Sequence, residues 1–378
     1  MPLKAILVRI VNISWEAAVL RHKMFSICWV ILCVLLPICG KAQNTSLPDS
    51  AAPHIHHISQ KAPPLRTPQL EVSSNSINTL YINPVWQPLR QRLAADGLNN
   101  RHVDALLATL PERPTQSPMG RKMRELYLRK FFPKPLPKGR RLYYKGVVNK
   151  SNADTCRRFV ATNSQAFTLA EKRYGVPASI AVALLFVETR LGAVLGDVPE
   201  NAFYTLASMS ICRSMEDITE WLPRMPKHEL HADWFATTMP KRADWAYQET
   251  KALIQYMIRD RILPDQLPGS IYGAVGLCQF MPSNIAVYGI DGNGDNRIDL
   301  FELNDAVASL ANYLARHGWK PGLSQEQQHK ILMTYNHAAI YANTILALAD
   351  AVDGKTLPVN AQDQKGNDSK KSKQPARK

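Results

Sequence analysis

Apolar residues recur every three to four positions along most of the chain from Pro84 onward, which is the spacing of one face of an α-helix. This pattern predicts helices over residues 85–95, 101–110, 121–132 and 154–174. Few segments alternate apolar and polar residues with a period of two, so few strands are expected. The proline-rich run at 133–137 should interrupt the helices as a surface connection. The sequence therefore predicts a mainly α fold.

The N-terminal region has the pattern of a signal peptide rather than of a folded domain. Arg21 and Lys23 precede an apolar run over residues 25–39, and small residues then lead to a cleavage position after Ala42. The run is shorter than the ~20 residues of a membrane-spanning helix, which favours a cleaved signal over a permanent anchor. Export to the periplasm or the cell envelope is therefore expected, while the true start codon stays open.

A lipid anchor is a weaker alternative to simple cleavage. Ile38 stands before Cys39, where a lipid-attachment site usually has a small residue. After the signal the composition is rich in Ser, Pro, Asn and Thr, and the last residues are polar and basic, so both stretches should lack a packed core. The predicted divisions are a signal peptide at 1–42, a flexible linker at 43–80, one catalytic domain at 81–353 and a disordered basic tail at 354–378.

The net charge of the chain indicates which classes of partner it can bind. With 46 Lys and Arg against 31 Asp and Glu, the formal net charge is +15, which favours anionic partners. No zinc-finger or RNA-binding motif accompanies this charge, so nucleic acid is not expected as a partner. The basic tail could support a peripheral association with an anionic membrane, although a solvated tail is the simpler interpretation. The sequence does not indicate an oligomeric state.

Three cysteines remain after the predicted cleavage site. Cys156, Cys212 and Cys278 are an odd number, so at most one intramolecular disulfide can form, in one of three pairings. The alternative is that all three are small buried hydrophobic side chains. The sequence leaves both alternatives open.

One carboxyl stands out on an otherwise apolar helix. Gly175 should end one helix and Pro177 begin the next, which then carries no charge before Glu188. Helical spacing places Ala181 and Leu184 on the same face as that carboxyl, where desolvation would raise its pKa. A carboxylic acid that stays protonated near neutral pH is a suitable general acid. A helix that simply ends in solvated polar residues would show the same spacing.

A second pattern predicts a calcium site. Residues 291–302 fit the twelve-residue EF-hand loop, with oxygen ligands at the expected positions and an apolar residue, Ile298, at the eighth. The departure is Asn296, which occupies the position of the usual turn glycine and is the next-best residue for a left-handed conformation. A single loop indicates a structural site rather than a sensor. The predicted ligands are the side chains of Asp291, Asn293, Asp295, Asp299 and Glu302 and the carbonyl of Arg297.

Several short motifs occur in one order along the chain. They are Tyr174-Gly175-Val176-Pro177, Glu188-Thr189-x-x-Gly192, Gly269-Ser270-x-x-Gly273-Ala274-x-Gly276-x-x-Gln279-Phe280-x-Pro282-Ser283, the loop at 291–302, Ala311-Asn312-Tyr313 and Tyr335-Asn336. In this order the set resembles the lytic murein transglycosylases of the membrane-bound B type, over roughly residues 86–349. The resemblance implies a lysozyme-like transglycosylase fold with an EF-hand-like calcium loop, and peptidoglycan glycan strands as the partner.

The resemblance also implies a reaction and roles for individual residues. Glu188 corresponds to the one acid/base, which cleaves the β-1,4 bond between N-acetylmuramic acid and N-acetylglucosamine without water and leaves a 1,6-anhydromuramic acid end. Ser270, Gln279, Tyr335 and Asn336 correspond to substrate-binding positions. These neutral hydrogen-bonding groups could hold an N-acetyl group without taking the proton.

Other functions remain alternatives at this point. A hydrolytic muramidase would need a second carboxylate to activate water, and Asp197 lies only nine residues after Glu188. A non-catalytic peptidoglycan-binding or scaffold protein could keep the same cleft and loop. Three tryptophans in a region that resembles the family only loosely could stack on sugars, but core packing is the simpler expectation; they are Trp221, Trp234 and Trp245.

Overall fold

A computed structural model describes residues 80–135 and 141–356 of the chain. Within these residues the protein forms twelve α-helices and no β-strand, apart from one isolated antiparallel bridge between Val275 and Phe280. The helices are α1 (Gln87–Ala95), α2 (Arg101–Ala108), α3 (Ser117–Phe131), α4 (Lys150–Thr162), α5 (Ser164–Tyr174), α6 (Ala178–Thr189), α7 (Ala202–Ile211), α8 (Ala232–Asp260), α9 (Pro282–Tyr288), α10 (Leu303–Arg316), α11 (Gln325–Tyr335) and α12 (Ala339–Val352). Short 3-10 helices cover Pro84–Trp86, Met215–Ile218, Leu222–Arg224, His228–His231 and Pro264–Gln266. The prediction of a mainly α protein is confirmed.

One predicted helix is in fact two. The segment expected over residues 154–174 starts four residues earlier, because the side chain of Asn149 caps the first turn of α4 by accepting from the Asn152 N–H at 2.9 Å. At Asn163 the backbone leaves the helical conformation, and the Asn163 side-chain amide donates to the Phe159 carbonyl at 2.8 Å. The chain therefore turns between α4 and α5, which periodicity alone did not indicate.

Helix α6 lies at the centre of the main core. Residues 179–186 are all buried, so the helix has no solvent-facing stripe and is surrounded on every side. It packs against α4, α5, α10 and α12. Gly175 ends the preceding helix in the left-handed conformation (φ 68°), as predicted, and Pro177 caps α6. This arrangement delivers the C-terminal end of α6, with Glu188, to a fixed point in the core.

A second, smaller core is rich in methionine. It joins α3, the end of α7, the 3-10 segments after α7 and the first half of α8, around Met119, Met123 and Met239. The long helix α8 belongs to both cores, because its second half contributes Leu253 and Met257 to the main one. Trp221, Trp234 and Trp245 pack against this second core, which agrees with the expectation that they are core residues rather than sugar contacts.

The cysteines do not pair. Cys156, Cys212 and Cys278 are buried free thiols, so the structure supports the alternative of small buried side chains. Burial raises the pKa of Cys156 and of Cys278 to about 12, which keeps both thiols protonated.

The predictions for the chain ends lie almost entirely outside the described residues. They concern the signal peptide at 1–42, the linker at 43–80 and most of the tail at 354–378. In the part of the chain that the structure describes, no helix is both long enough and apolar enough to cross a membrane.

Candidate active site

The predicted acid ends the buried helix α6. Glu188 is only 8% exposed, with fully buried Leu184 and Leu185 in the preceding turn. Removal of the carboxyl from water disfavours its charged form, and this burial raises the pKa of Glu188 to about 7. A proton donor with a pKa near neutrality is what general acid catalysis requires, and the same group can take a proton back as a base.

A tyrosine from α12 contacts this acid directly. The Tyr341 hydroxyl donates a hydrogen bond to Glu188 Oε1 at 2.5 Å, and both residues are buried. This bond stabilises the carboxylate and so lowers the pKa of Glu188, opposing part of the effect of burial. The contact also holds one carboxyl oxygen in place, while Oε2 has no hydrogen-bond partner among the described residues. Sequence analysis missed Tyr341.

A second tyrosine connects the acid to the glycine-rich loop over residues 269–281. Tyr335, the last residue of α11, donates from its hydroxyl to the carbonyl oxygen of Cys278. Its ring lies parallel to that of Tyr341, with 6.3 Å between the centroids and 14° between the planes. Thr189, next to the acid, donates to the Leu277 carbonyl at 3.0 Å. The loop is therefore held by one hydrogen bond from the end of α11 and one from the end of α6.

The glycine-rich loop packs closely against neighbouring residues. A side chain at Gly276 (φ 77°) would place its Cβ 2.3 Å from Leu300 Cβ, so only glycine fits there. Gln279 has an uncommon left-handed backbone (φ 52°), and its amide nitrogen donates to the Gly276 carbonyl at 2.9 Å. These constraints orient the Gln279 side chain inward rather than to solvent, with 5% of the residue exposed.

Three of the four predicted substrate-binding residues carry buried polar atoms without a partner among the described residues. These atoms are Ser270 Oγ, Gln279 Oε1 and Asn336 Oδ1. A buried polar atom left unpaired destabilises a fold by about 1–3 kcal/mol, so such atoms are few and call for an explanation. Their grouping in one loop and beside Tyr335 is typical of a site that hydrogen-bonds to a ligand. No hydrogen bond joins any of the three to Glu188 directly.

The loop over residues 291–302, called the acidic loop below, forms the turn that the sequence predicts. Asp291 accepts the Gly294 N–H at 2.6 Å and the Asn296 N–H at 2.8 Å, and Asn296 adopts the predicted left-handed conformation (φ 65°). Fully buried Asp305, which sequence analysis missed, accepts the N–H groups of Gly292 at 2.8 Å and of Asp299 at 2.7 Å. The two ends of the loop are thus held together by one carboxylate.

The four predicted carboxylate ligands do not form a preassembled metal-binding group in the described residues. Within residues 80–135 and 141–356, no group of three or more His, Cys, Asp or Glu side chains is arranged to hold a metal. The reason is that their oxygens accept backbone N–H groups; Glu302, for example, caps α10 by accepting the Asn304 N–H at 2.8 Å. The oxygen-rich donor set fits a hard cation by its chemistry. That donor set consists of the six predicted ligands: Asp291, Asn293, Asp295, Arg297, Asp299 and Glu302.

Comparison with known proteins decides the family. Residues 82–328 match the family model described as the transglycosylase SLT domain, which is more than half of the 378 residues. The chain belongs to the transglycosylase SLT domain family. The SLT domain therefore includes the acid, the glycine-rich loop and the acidic loop, while Tyr335, Asn336 and Tyr341 follow the matched segment.

Individual relatives agree with this assignment. Membrane-bound lytic murein transglycosylase B of Escherichia coli K12 is 30% identical over 180 residues, which are 48% of this chain and 42% of that protein. The matched segment thus spans less than half the length of that relative. The E. coli lytic transglycosylase SLT35 in complex with calcium superposes with a TM-score of 0.53 at 22% identity, over 72% of this chain and 93% of that one. SltB3 of Pseudomonas aeruginosa in complex with NAG-anhNAM-pentapeptide gives 0.53 at 16% identity, over 73% and 83%. These structures share the SLT fold.

The carboxylate considered for a hydrolytic mechanism contacts the start of the glycine-rich loop. Asp197 follows α6 in the segment before α7; the residue is exposed, although surrounding protein atoms desolvate its carboxyl and raise the pKa. The backbone N–H of Ile271, in the glycine-rich loop, donates to the Asp197 carboxyl. The backbone N–H of Asp197 in turn donates to the Gly269 carbonyl at 2.8 Å. Asp197 thus supports the loop that carries Ser270.

Proposed function

We propose that this protein is a lytic transglycosylase of peptidoglycan, cleaving the β-1,4 bond between N-acetylmuramic acid and N-acetylglucosamine. The observation that carries the proposal is the buried acid near the end of α6, Glu188, whose pKa burial raises to about 7 and whose Oε1 accepts a hydrogen bond from Tyr341. The family supports it, as does the printed name of the E. coli relative, a lytic murein transglycosylase. The complex of SltB3 with a peptidoglycan fragment supports the substrate class.

The reaction needs two proton transfers, both through Glu188. In the first step protonated Glu188 donates its proton to the glycosidic oxygen, the bond from the muramoyl C1 to that oxygen breaks, and the electron pair stays on the oxygen of the departing N-acetylglucosamine. In the second step the Glu188 carboxylate accepts the proton of the muramoyl 6-hydroxyl while its oxygen bonds to C1. The product is a 1,6-anhydro ring, and no water is consumed.

Tyr341 is suited to the state between these steps. Its hydroxyl donates to Glu188 Oε1, so the carboxylate that forms after the first step keeps a charge-assisted hydrogen bond. Tyr341 does not itself lose its proton, because burial and the nearby acid raise the pKa of its hydroxyl well above the usual value. Its role is to position and stabilise the acid.

The unpartnered atoms around the acid would bind the sugars. Ser270, Gln279 and Asn336 together present a hydroxyl and two amide oxygens that find no partner within the described protein. Such neutral groups can bond to hydroxyl and acetamido groups without competing for the proton of Glu188. Tyr335 would form an aromatic wall beside them, as its stacking on Tyr341 suggests.

Product masses test the proposal. Purified sacculi are digested with wild type and with Glu188→Gln, and soluble fragments are analysed by mass spectrometry. We expect wild-type fragments lighter by one water than hydrolytic ones and none from the mutant. Reducing ends that disappear in Asp197→Asn would instead establish a hydrolytic muramidase. Binding to sacculi without release of any fragment by wild type would support a non-catalytic scaffold.

We also propose that the acidic loop binds Ca²⁺ as a structural ion. Asp291, Asp295, Asp299 and Glu302 form no ion pair with Lys or Arg in the described parts of the chain, so their charge is balanced only by N–H groups. The SLT35 complex with calcium supports the assignment. Titration calorimetry should show one Ca²⁺ bound to wild type and none to Asp291→Asn/Asp295→Asn. A wild-type melting temperature that changes neither with added Ca²⁺ nor with chelator would refute the proposed calcium site.

We propose the cell envelope as the place of action. The substrate is found there, residues 1–42 have the pattern of an export signal, and the E. coli relative is membrane-bound by name. N-terminal sequencing of the protein from a periplasmic fraction tests this, and an intact N-terminus in the cytoplasm would contradict it.

A further inference from the structure

A polar groove lies between α11 and α12, apart from the acid. It has a volume of about 500 Å³, and its floor is formed by buried apolar side chains of α12. Polar side chains surround this floor: Gln325 and His329 from α11, Asn343 from α12, and the ring of Tyr143 from the segment before α4. A polar cavity with one aromatic wall and an apolar floor differs from the mostly apolar pockets of typical small-molecule sites.

The amide and imidazole groups of the groove are not used by the fold. The side chains of Gln325, His329 and Asn343 make no hydrogen bond within residues 80–135 and 141–356, although Asn343 and His329 are half-buried. Half-buried amides can both donate and accept, so together they offer hydrogen bonds of both kinds to a bound molecule.

The charges of the groove cancel. Glu326 is paired with Lys330 at 2.7 Å, and Asp350 is paired with Lys355 at 2.7 Å. The groove therefore has no excess charge with which to select an anion or a cation. Amide groups, balanced charges and an aromatic ring suit a neutral molecule rich in hydroxyl and acetamido groups.

The aromatic wall is fixed to α12, the helix whose Tyr341 hydrogen-bonds to the acid. The Tyr144 N–H donates to Thr344 Oγ1 at 2.9 Å, which places the neighbouring Tyr143 beside α12. Asn343 and Asp350 line the groove from α12, whereas Tyr341 of that helix contacts Glu188. One helix thus lies between the groove and the acid, so the two places can contact different parts of a long polymer.

We propose that this groove is a second glycan-binding site, which holds a neutral N-acetylated sugar segment away from the point of cleavage. The inference rests on the proposed function, because it takes its ligand from the same polymer. Thr356 lies at the rim of the groove, and the basic segment that follows it in the sequence is the competing occupant. The balanced charges of Glu326 and Asp350 give such a segment little attraction.

Sugar titration locates the site. Chitohexaose, a neutral oligomer of N-acetylglucosamine, is added to full-length Glu188→Gln protein, and side-chain amide signals are followed by NMR. Signals of Asn343 and Gln325 should shift. Gln325→Ala and Asn343→Leu should each weaken the titration at the groove by about fivefold to tenfold, the usual effect of losing one or two hydrogen bonds. Tyr81→Ala, which removes an exposed tyrosine (74%) outside the groove, is the matched control and should titrate as the parent does.

The outcomes separate this site from the proposed activity. Anhydro products from wild type with no sugar response at Asn343 would overturn the groove and leave the lytic activity standing. A sugar response at Asn343 without anhydro products would support the groove while the lytic activity fails. Contacts to the groove from residues after Thr356, unchanged by sugar, would identify the chain itself as the occupant and overturn the proposal. Because Gln325 is exposed at the start of α11, its variant should fold even if Asn343→Leu does not.

Discussion

Tyr341→Phe removes one hydrogen bond from the acid and almost nothing else. The hydroxyl of Tyr341 donates to Glu188 Oε1 at 2.5 Å, while its ring packs in the main core, where phenylalanine has nearly the same shape. The tyrosine bond favours the carboxylate, so its loss must raise the pKa of Glu188 further above its present value of about 7.

The size of the change follows from the kind of bond. A hydrogen bond to a charged group contributes about 1.5–3 kcal/mol, and one pKa unit corresponds to about 1.4 kcal/mol. The pKa of Glu188 should therefore rise by about 1–2 units in Tyr341→Phe. The rate should also fall, because the carboxylate formed after bond cleavage loses a stabilising partner.

The pH dependence of kcat/KM on soluble glycan strands measures this shift. The first step needs protonated Glu188, so activity declines as pH rises through its pKa, and this decline should move to higher pH by about 1–2 units. Tyr335→Phe is the matched control, because its hydroxyl donates to the Cys278 carbonyl instead of to the acid. A decline that stays in place in Tyr341→Phe, or moves to lower pH, would refute the assigned role of Tyr341.

Three further predictions concern stability and reactivity. Glu188→Gln should stabilise the protein at pH 8 by up to about 3 kcal/mol and have little effect at pH 4. The reason is that folding raises the pKa of Glu188 from 4.5 to about 7, so the wild-type protein loses stability as the pH rises across that interval. Equal urea midpoints of wild type and variant at pH 8 would contradict this. Gly276→Ala should lower the free energy of unfolding by about 2 kcal/mol or more, because the added methyl group would collide with Leu300. Gly97→Ala has a similar φ of 82° but open space around it, so it should lower the free energy of unfolding by only about 1 kcal/mol. Equal losses in urea unfolding would show that the close contact is unimportant. The three buried cysteines should react with Ellman's reagent only after unfolding, and rapid labelling of the native protein would show that they are accessible.

Local rules of helix structure accounted for the placement of the acid. An uncharged run that begins after Gly175 and Pro177 predicts a buried helix, and the structure contains α6 with Glu188 at its end. The left-handed Asn296 was likewise foreseeable, because few other residues adopt that conformation. These features depend only on neighbours within one or two turns.

Contacts between distant segments were not foreseeable. Tyr341 lies 153 residues after Glu188 and forms part of an apolar helix, so nothing local marks it as a partner of the acid. The one available signal was that a buried tyrosine hydroxyl needs a hydrogen-bond partner. The contacts of the acidic loop were not foreseeable for a related reason: spacing identifies oxygen donors, but it does not show that Asp305 accepts N–H groups from both ends of the loop.

The most direct test of the account is the source of oxygen in the product. Sacculi are digested by the wild-type protein in oxygen-18 water, and the new muramic acid ends are analysed by mass spectrometry. We predict anhydro ends without the heavy isotope, since the muramoyl 6-hydroxyl, and not water, attacks C1 when Glu188 accepts its proton. Heavy oxygen at C1 would show that water is the nucleophile and would contradict the transglycosylase mechanism.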